Sequence, residues 1–196
     1  MAKRIGIFMD VSNLYYCIGK KFQKRKLDYK EYYKFISDLG DIKYAVAYGA
    51  QMNNEASGFI HCLKQIGFTP KYKTPKDYHN SENFKRKCDW DVGIAIDIVC
   101  MINELDLIVI GSADGDMRPV VDWAKDKGVN IVIIACDISG ELKEAANRFI
   151  EIPESMLEPV KEKQPTVKGQ PDAEEYNGKS RTNSDTQNVE GNNKEG

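Results

Sequence analysis

Three aspartates of this sequence follow apolar runs, one directly and two after a short Gly-Ser-Ala connector, where carboxylates could do chemistry. Asp10 follows residues 5–9 (IGIFM), and Asp114 and Asp116 follow residues 107–110 (LIVI) after Gly111, Ser112 and Ala113. Short apolar runs bounded by charge suit buried parallel strands. In an open parallel sheet, ligands bind beyond the carboxyl ends of the strands, where the strand order reverses. If the two runs are neighbouring strands, three carboxylates converge on one crevice. Crowded carboxylates repel, which raises the pKa of at least one of them. A divalent cation removes that penalty. Mg²⁺ takes oxygen ligands, keeps several waters and completes its shell with phosphates, and such a site activates a water and stabilises charge on a phosphodiester.

Asp91 is the natural fourth acid. It opens an expected helix over residues 90–103, where the helix dipole favours a carboxylate, so a helix-start role and a site role compete. Asp89, two residues earlier, reads as that helix's cap. Asp97 interrupts the run VGIAIDIVCMI. Six residues from Asp91 is about 600° of helical rotation, so the two do not share a face; a hydrogen-bonded buried carboxylate and a metal ligand are both open for Asp97. Asn13, one helical turn after Asp10, either orients a water or a phosphate oxygen or caps the helix that follows, as Ser12 also could. Ser112 is a candidate phosphate contact or a backbone partner. Each acid has a bland explanation by itself: Asp10 as a cap, Asp114-Gly115-Asp116 as a turn. Acids delivered to one point by two separate strand ends are harder to assign to turns.

Two segments could hold a nucleic acid strand. One contains Lys21, Lys24 and Arg25, just after Tyr15 and Tyr16; the other contains Lys71, Lys73, Lys76, Lys85, Arg86 and Lys87, interleaved with Tyr72, Tyr78, His79 and Phe84. Cations neutralise phosphates while aromatic faces stack unpaired bases. A solvated basic surface is the competing account.

The elements that must position these residues alternate. Strands are expected at 5–9, 43–48, 69–73, 107–110 and 130–135, and helices from Leu14 through Phe22 and over 29–39, 55–66, 90–103, 117–127 and 139–148. A long polar loop is expected over 74–89. The helix over 90–103 is apolar on most sides and should be largely buried. This alternation implies an α/β fold, a mainly parallel sheet of about five strands with helices on both faces. The 196 residues fit one domain, residues 1–158. From 159 to 196 Gly, Asn, Lys, Glu, Gln and Pro dominate, and such a segment is expected to be a disordered tail. No internal repeat is evident.

Composition narrows the classes further. With 41% hydrophobic and 30% charged residues and a net charge of −2, the chain reads as soluble, and nucleic-acid affinity must come from local basic patches. Five scattered cysteines without a CxxC pair, and only two histidines, His61 and His79, argue against zinc and for reduced, mostly buried thiols. The apolar run near the N-terminus is too short for a signal sequence, and no stretch approaches the ~20 apolar residues of a membrane span. A cytoplasmic location without membrane association is expected.

The segments IGIFMDVSNLY (5–15), KCDWDVGIAIDIV (87–99) and DLIVIGSADGDMRPVV (106–121) resemble the NYN domain family, PIN-like nucleases that include a LabA-like bacterial branch. The similarity spans about residues 3–152. It implies a PIN-like (Rossmannoid) three-layer sandwich and metal-dependent RNA cleavage with Mg²⁺ or Mn²⁺. By position it implies that Asp10 is the strand-end acid, Asn13 the asparagine of its first turn, Asp91 the helix-start acid, Asp97 the buried helix acid, and Asp114 and Asp116 the acids after the later strand. Ala113 stands where a glycine is usual and Met117 where an aromatic is common. The expected substrate is RNA, single-stranded on the strength of the aromatic residues; PIN-like domains often pair, which makes a homodimer a further expectation, and the tail is a candidate for recruiting a protein partner. Two alternatives stand beside a ribonuclease. One is a non-catalytic RNA-binding or regulatory module on the same fold. The other is a haloacid-dehalogenase-like phosphatase with Asp10 as nucleophile, against which Ser12 occupies the place of the expected second acid.

Overall fold

Residues 5–9 contain no polar side chain to turn toward water, so a strand made of them needs cover on both faces. The computed structural model provides it. It describes residues 2–50, 56–74, 76–80, 83–87 and 89–160, the segments 76–80 and 83–87 by backbone only. The strands are β1 (Arg4–Asp10), β2 (Asp41–Ala50), β3 (Thr69–Lys73), β4 (Lys76–Asn80), β5 (Asn83–Lys87), β6 (Leu107–Gly111), β7 (Asn130–Ala135) and β8 (Arg148–Glu151). Six of them form one parallel sheet in the order β3-β2-β1-β6-β7-β8. The helices are α1 (Val11–Lys21), α2 (Tyr29–Ser37), α3 (Ala56–Ile66), α4 (Asp91–Met101), α5 (Arg118–Asp126) and α6 (Gly140–Ala145). Ile5, Ile7, Phe8 and Met9 of β1 and Ile108, Val109 and Ile110 of β6 are buried at the centre of the core.

The α/β class and the parallel sheet agree with the sequence. Two details differ. The sheet gains a sixth strand, β8, whose Phe149 and Ile150 pair with Ile133 and Ile134. Part of the segment expected to be a loop, 74–89, pairs as the antiparallel hairpin β4–β5, His79 opposite Phe84. The N-terminal ends of β1 and β6 are pinned by Arg4, which donates from its backbone N and from its guanidinium to Asp106 and holds that carboxyl down at about 2.

Helix α4 departs from its expected burial. Ile94 and Ile98 are buried, while Val92, Ile96 and Val99 are 73%, 56% and 48% exposed. The helix packs on β1 and α5 with one face only, and the apolar residues at i, i+4 and i+7 form the opposite stripe. Likewise Cys62 and Cys100 are exposed free thiols, and only Cys136 of the described cysteines is fully buried. Residues 161–196, most of the segment expected to be a disordered tail, lie outside the described residues.

The strand order reverses at β1: the chain runs to β2 and β3 on one side, and to β6, β7 and β8 on the other. Met9 of β1 pairs with Gly111 of β6, so Asp10 and the loop from Ser112 leave the sheet side by side. Gly111 is required by close approach, since a Cβ there would meet the Tyr32 hydroxyl at 2.8 Å and the Met9 side chain at 3.1 Å.

Candidate active site

Asp10 ends β1 and is 7% exposed. It is both a cap and a site residue. Its Oδ1 accepts the Asn13 backbone N–H at 2.9 Å, closing the first turn of α1. Burial pushes its carboxyl up, the backbone N–H groups of Asn13 and Ser12 oppose this, and the charges of Asp114 and Asp89 add to the rise. The expected caps Ser12 and Asn13 thus serve α1 by their backbones, with Asp10 as the capping side chain.

The Asn13 side chain does something else. Its Oδ1 accepts the Ala113 N–H at 2.8 Å, tying the loop after β1 to the loop after β6. Ser112 is fully buried, and its hydroxyl oxygen accepts the Asp114 N–H at 3.2 Å. A hydroxyl with no exposure does not reach a phosphate, so the backbone role replaces the substrate contact expected of Ser112. Asp114 in turn accepts the Asp116 N–H at 3.0 Å. The turn chemistry is real, and it aims the acids: Asp114 is half-buried, and Asp116 is exposed.

Asp91 opens α4, and its carboxyl is pushed up to about 7. Burial is the largest cause, followed by a hydrogen bond with Asp89 and the charges of Asp89, Asp114 and Asp10. A helix N-terminus by itself favours the charged form, so here burial and crowding outweigh the dipole. Charges from three distant stretches therefore bear on Asp10 and Asp91 at the reversal of strand order. An open crevice of about 740 Å³ is lined by Asp89, Asp91, Asp116, Lys73 and Trp90 among others.

Asp89 is the member that sequence reasoning left as a cap. Its Oδ1 does accept the Asp91 N–H at 3.0 Å, yet its charge bears on both Asp10 and Asp91. The Asp-Trp-Asp spacing at the start of α4, two acids flanking a half-buried aromatic, was the available signal. Lys73 lies over the Trp90 ring at 4.4 Å and donates to the Asp89 carbonyl, and Trp90 donates to the Gly49 carbonyl at 2.9 Å.

Asp97 is turned elsewhere. It accepts the Tyr48 hydroxyl at 2.6 Å and the Lys71 ammonium on both oxygens at 2.6 and 2.8 Å. Its partners come from β2 and β3, as the helical rotation from Asp91 requires, and the paired-carboxylate reading replaces the metal role.

The first basic segment is also engaged. Lys21 pairs with Glu151. Arg25 pairs with Glu154 at 2.9 Å and donates to the Glu158 carbonyl at 3.1 Å. These residues fasten the C-terminal stretch onto α1, where strand binding was expected of them. Lys24 is exposed in a turn at φ +67°. Lys85, Arg86 and Lys87 lie on β5, and their side chains fall outside the described residues.

Among the described residues, no three His, Cys, Asp or Glu side chains are placed to hold an ion as they stand. The donor chemistry nonetheless fits a hard dication: the donors are oxygens only, and their mutual repulsion is what a cation would relieve. Also among the described residues, no helix is long and apolar enough to cross a membrane.

The comparisons with known proteins agree with this frame. The NYN domain model matches residues 4–155. The chain is 27% identical over 177 residues to the low amplitude and bright protein LabA of Synechococcus elongatus, covering 84% of this chain and 92% of that one. A crystal structure of a protein of unknown function, VPA0982 from Vibrio parahaemolyticus, superposes with a TM-score of 0.71 at 24% identity, covering 80% of this chain and 96% of that chain, and so shares the fold. The chain belongs to the NYN domain family, a family of PIN-like nuclease and RNA-binding domains.

Proposed function

We propose that this protein is a cytoplasmic, Mg²⁺- or Mn²⁺-dependent ribonuclease that hydrolyses RNA phosphodiesters at the crevice between the carboxyl ends of β1 and β6. The observation that carries the reading is that Asp10 and Asp91 are both raised by burial and by the charges of Asp89 and Asp114 where the strand order reverses. Pure RNA binding has no use for clustered carboxylates facing a polyanion. Asp10, Asp91 and Asp114 are the residues that would hold the ion, with Asp89 and Asp116 at the rim. When bound, such an ion supplies a water of lowered pKa and offsets charge on the phosphoryl oxygens.

The remaining work belongs to the chain. Asp10 is held rigid by the α1 backbone. Asn13 keeps the two acid-bearing loops in register. Asp91, its carboxyl raised by burial and by the neighbouring acids in the metal-free chain, would give up its proton when it takes up the ion. Labelled single-stranded RNA incubated with Mg²⁺ is expected to be cut by the wild type, and to survive with EDTA or with Asp10→Asn. Equal cleavage by wild type and Asp10→Asn refutes the site. One observation favours a second reading, an RNA-binding module without turnover: no three acids are preformed into an ion site among the described residues. Tight RNA binding that ignores Mg²⁺ and leaves the strand intact selects it.

A further inference from the structure

We infer that the groove between α1, α3 and the β2–β3 edge is a subsite for the unpaired bases of single-stranded RNA, an inference that rests on the nucleic-acid reading above. The groove encloses about 590 Å³, within the roughly 300–1,000 Å³ of typical ligand sites. Tyr15, Tyr16, Phe59 and Tyr72 line it and are 56%, 70%, 39% and 49% exposed. Large aromatics gathered on one exposed patch mark a contact surface. Three of the four rings have an aromatic neighbour: Tyr15 meets Tyr16 edge-on at 5.6 Å, and Phe59 meets Tyr29 at 5.2 Å.

Continuity with the acid site points to the same occupant. The groove is close to neutral, with Lys26 and Glu158 among its lining residues and Lys71 paired with Asp97. The Lys71 ammonium is fixed by both oxygens of the part-buried Asp97 carboxylate, which holds the lysine side chain in place beside the groove. Val11 and Ser12 also line the groove, and the Ser12 N–H acts on Asp10. One turn of α1 is thus shared by groove and acid site, so a strand whose bases lie in the groove has its backbone beside the carboxylates. Paired bases hide their faces in the stack; unpaired bases offer them to tyrosine rings.

The test uses the full chain in EDTA, with fluorescence anisotropy of a labelled oligouridylate and of an abasic strand of equal length and charge. Wild type should prefer the intact strand by about 5- to 150-fold, the range of one stacked base. Tyr16→Ala/Tyr72→Ala should lose that preference, and Tyr16→Phe/Tyr72→Phe should keep it. Both positions are exposed, so neither pair should unfold the chain. Equal affinity for intact and abasic strands, or a preference untouched by the alanine pair, overturns the inference and leaves the groove to another class of ligand, such as a peptide. Base-dependent binding without cleavage in Mg²⁺ would overturn the nuclease reading and spare the groove; cleavage with base-independent binding would do the reverse.

Discussion

Replacing Asp91 with asparagine should stabilise the metal-free protein above neutral pH while removing its activity. The Asp91 carboxyl is raised from its ordinary 3.8 to about 7 by burial, by Asp89 and by the charges of Asp114 and Asp10. For a fully buried group that displacement would correspond to about 4 kcal/mol. Asp91 is only part-buried, and solvent screening reduces this to about 1–2 kcal/mol. The unfolded chain releases the proton near 3.8 and the folded chain near 7, so between these values the folded state holds a proton that the unfolded state has lost. Stability therefore falls as pH rises through this window and levels off above about 7. Asparagine abolishes the cost, raising Tm by about 2–8 °C near pH 8 for a chain of this size, with little difference well below 3.8, where Asp91 is protonated in both the folded and the unfolded chain. Thermal unfolding in EDTA, followed by circular dichroism at several pH values, reads this directly. Mn²⁺ added near pH 8 should stabilise the wild type and do less for the variant. An asparagine variant no more stable than wild type near pH 8 refutes the crowding argument.

Other residues give separable outcomes. Asn13→Ala removes the acceptor of the Ala113 N–H and should cost about 1–2 kcal/mol in urea unfolding, with cleavage falling because the two acid-bearing loops lose register. Asp97→Ala leaves the Lys71 ammonium and the Tyr48 hydroxyl without their shared partner; a loss of about 2–3 kcal/mol is expected, with Mn²⁺ affinity by calorimetry unchanged. On α4, Ile94→Ala should cost about 2–4 kcal/mol, whereas Ile96→Ser, on the exposed stripe, should move stability by about 0.5 kcal/mol or less.

Much of this was legible in the sequence because strong patterns were local. The runs 5–9 and 107–110 could be little other than buried parallel strands, and the acids that follow them placed Asp10 and Asp114 at the carboxyl edge before any contact was known. What the sequence hid was set by partners distant in the chain. Asn13 could not be paired with Ala113 without knowing that β1 and β6 are neighbours. Asp97 stayed open between a hydrogen-bonded carboxylate and a metal ligand because its partners, Tyr48 and Lys71, lie on other strands. Lys21 and Arg25 resembled a strand-binding patch because Glu151 and Glu154, which neutralise them, are more than a hundred residues away. For α4 the composition misled. An apolar helix is ordinarily enclosed, yet here only Ile94 and Ile98 of its isoleucines meet the core, and the stripe through Val92, Ile96 and Val99 has no counterpart in the periodicity that would distinguish it from a buried face.

Crystals soaked in Mn²⁺ and measured for anomalous scattering would show directly whether carboxylates from three stretches of chain share an ion. A peak among the side chains of Asp10, Asp91 and Asp114, absent in Asp10→Asn crystals, is the expected result. Density for Mn²⁺ only at other acids, with those three carboxylates uncoordinated, would contradict the account.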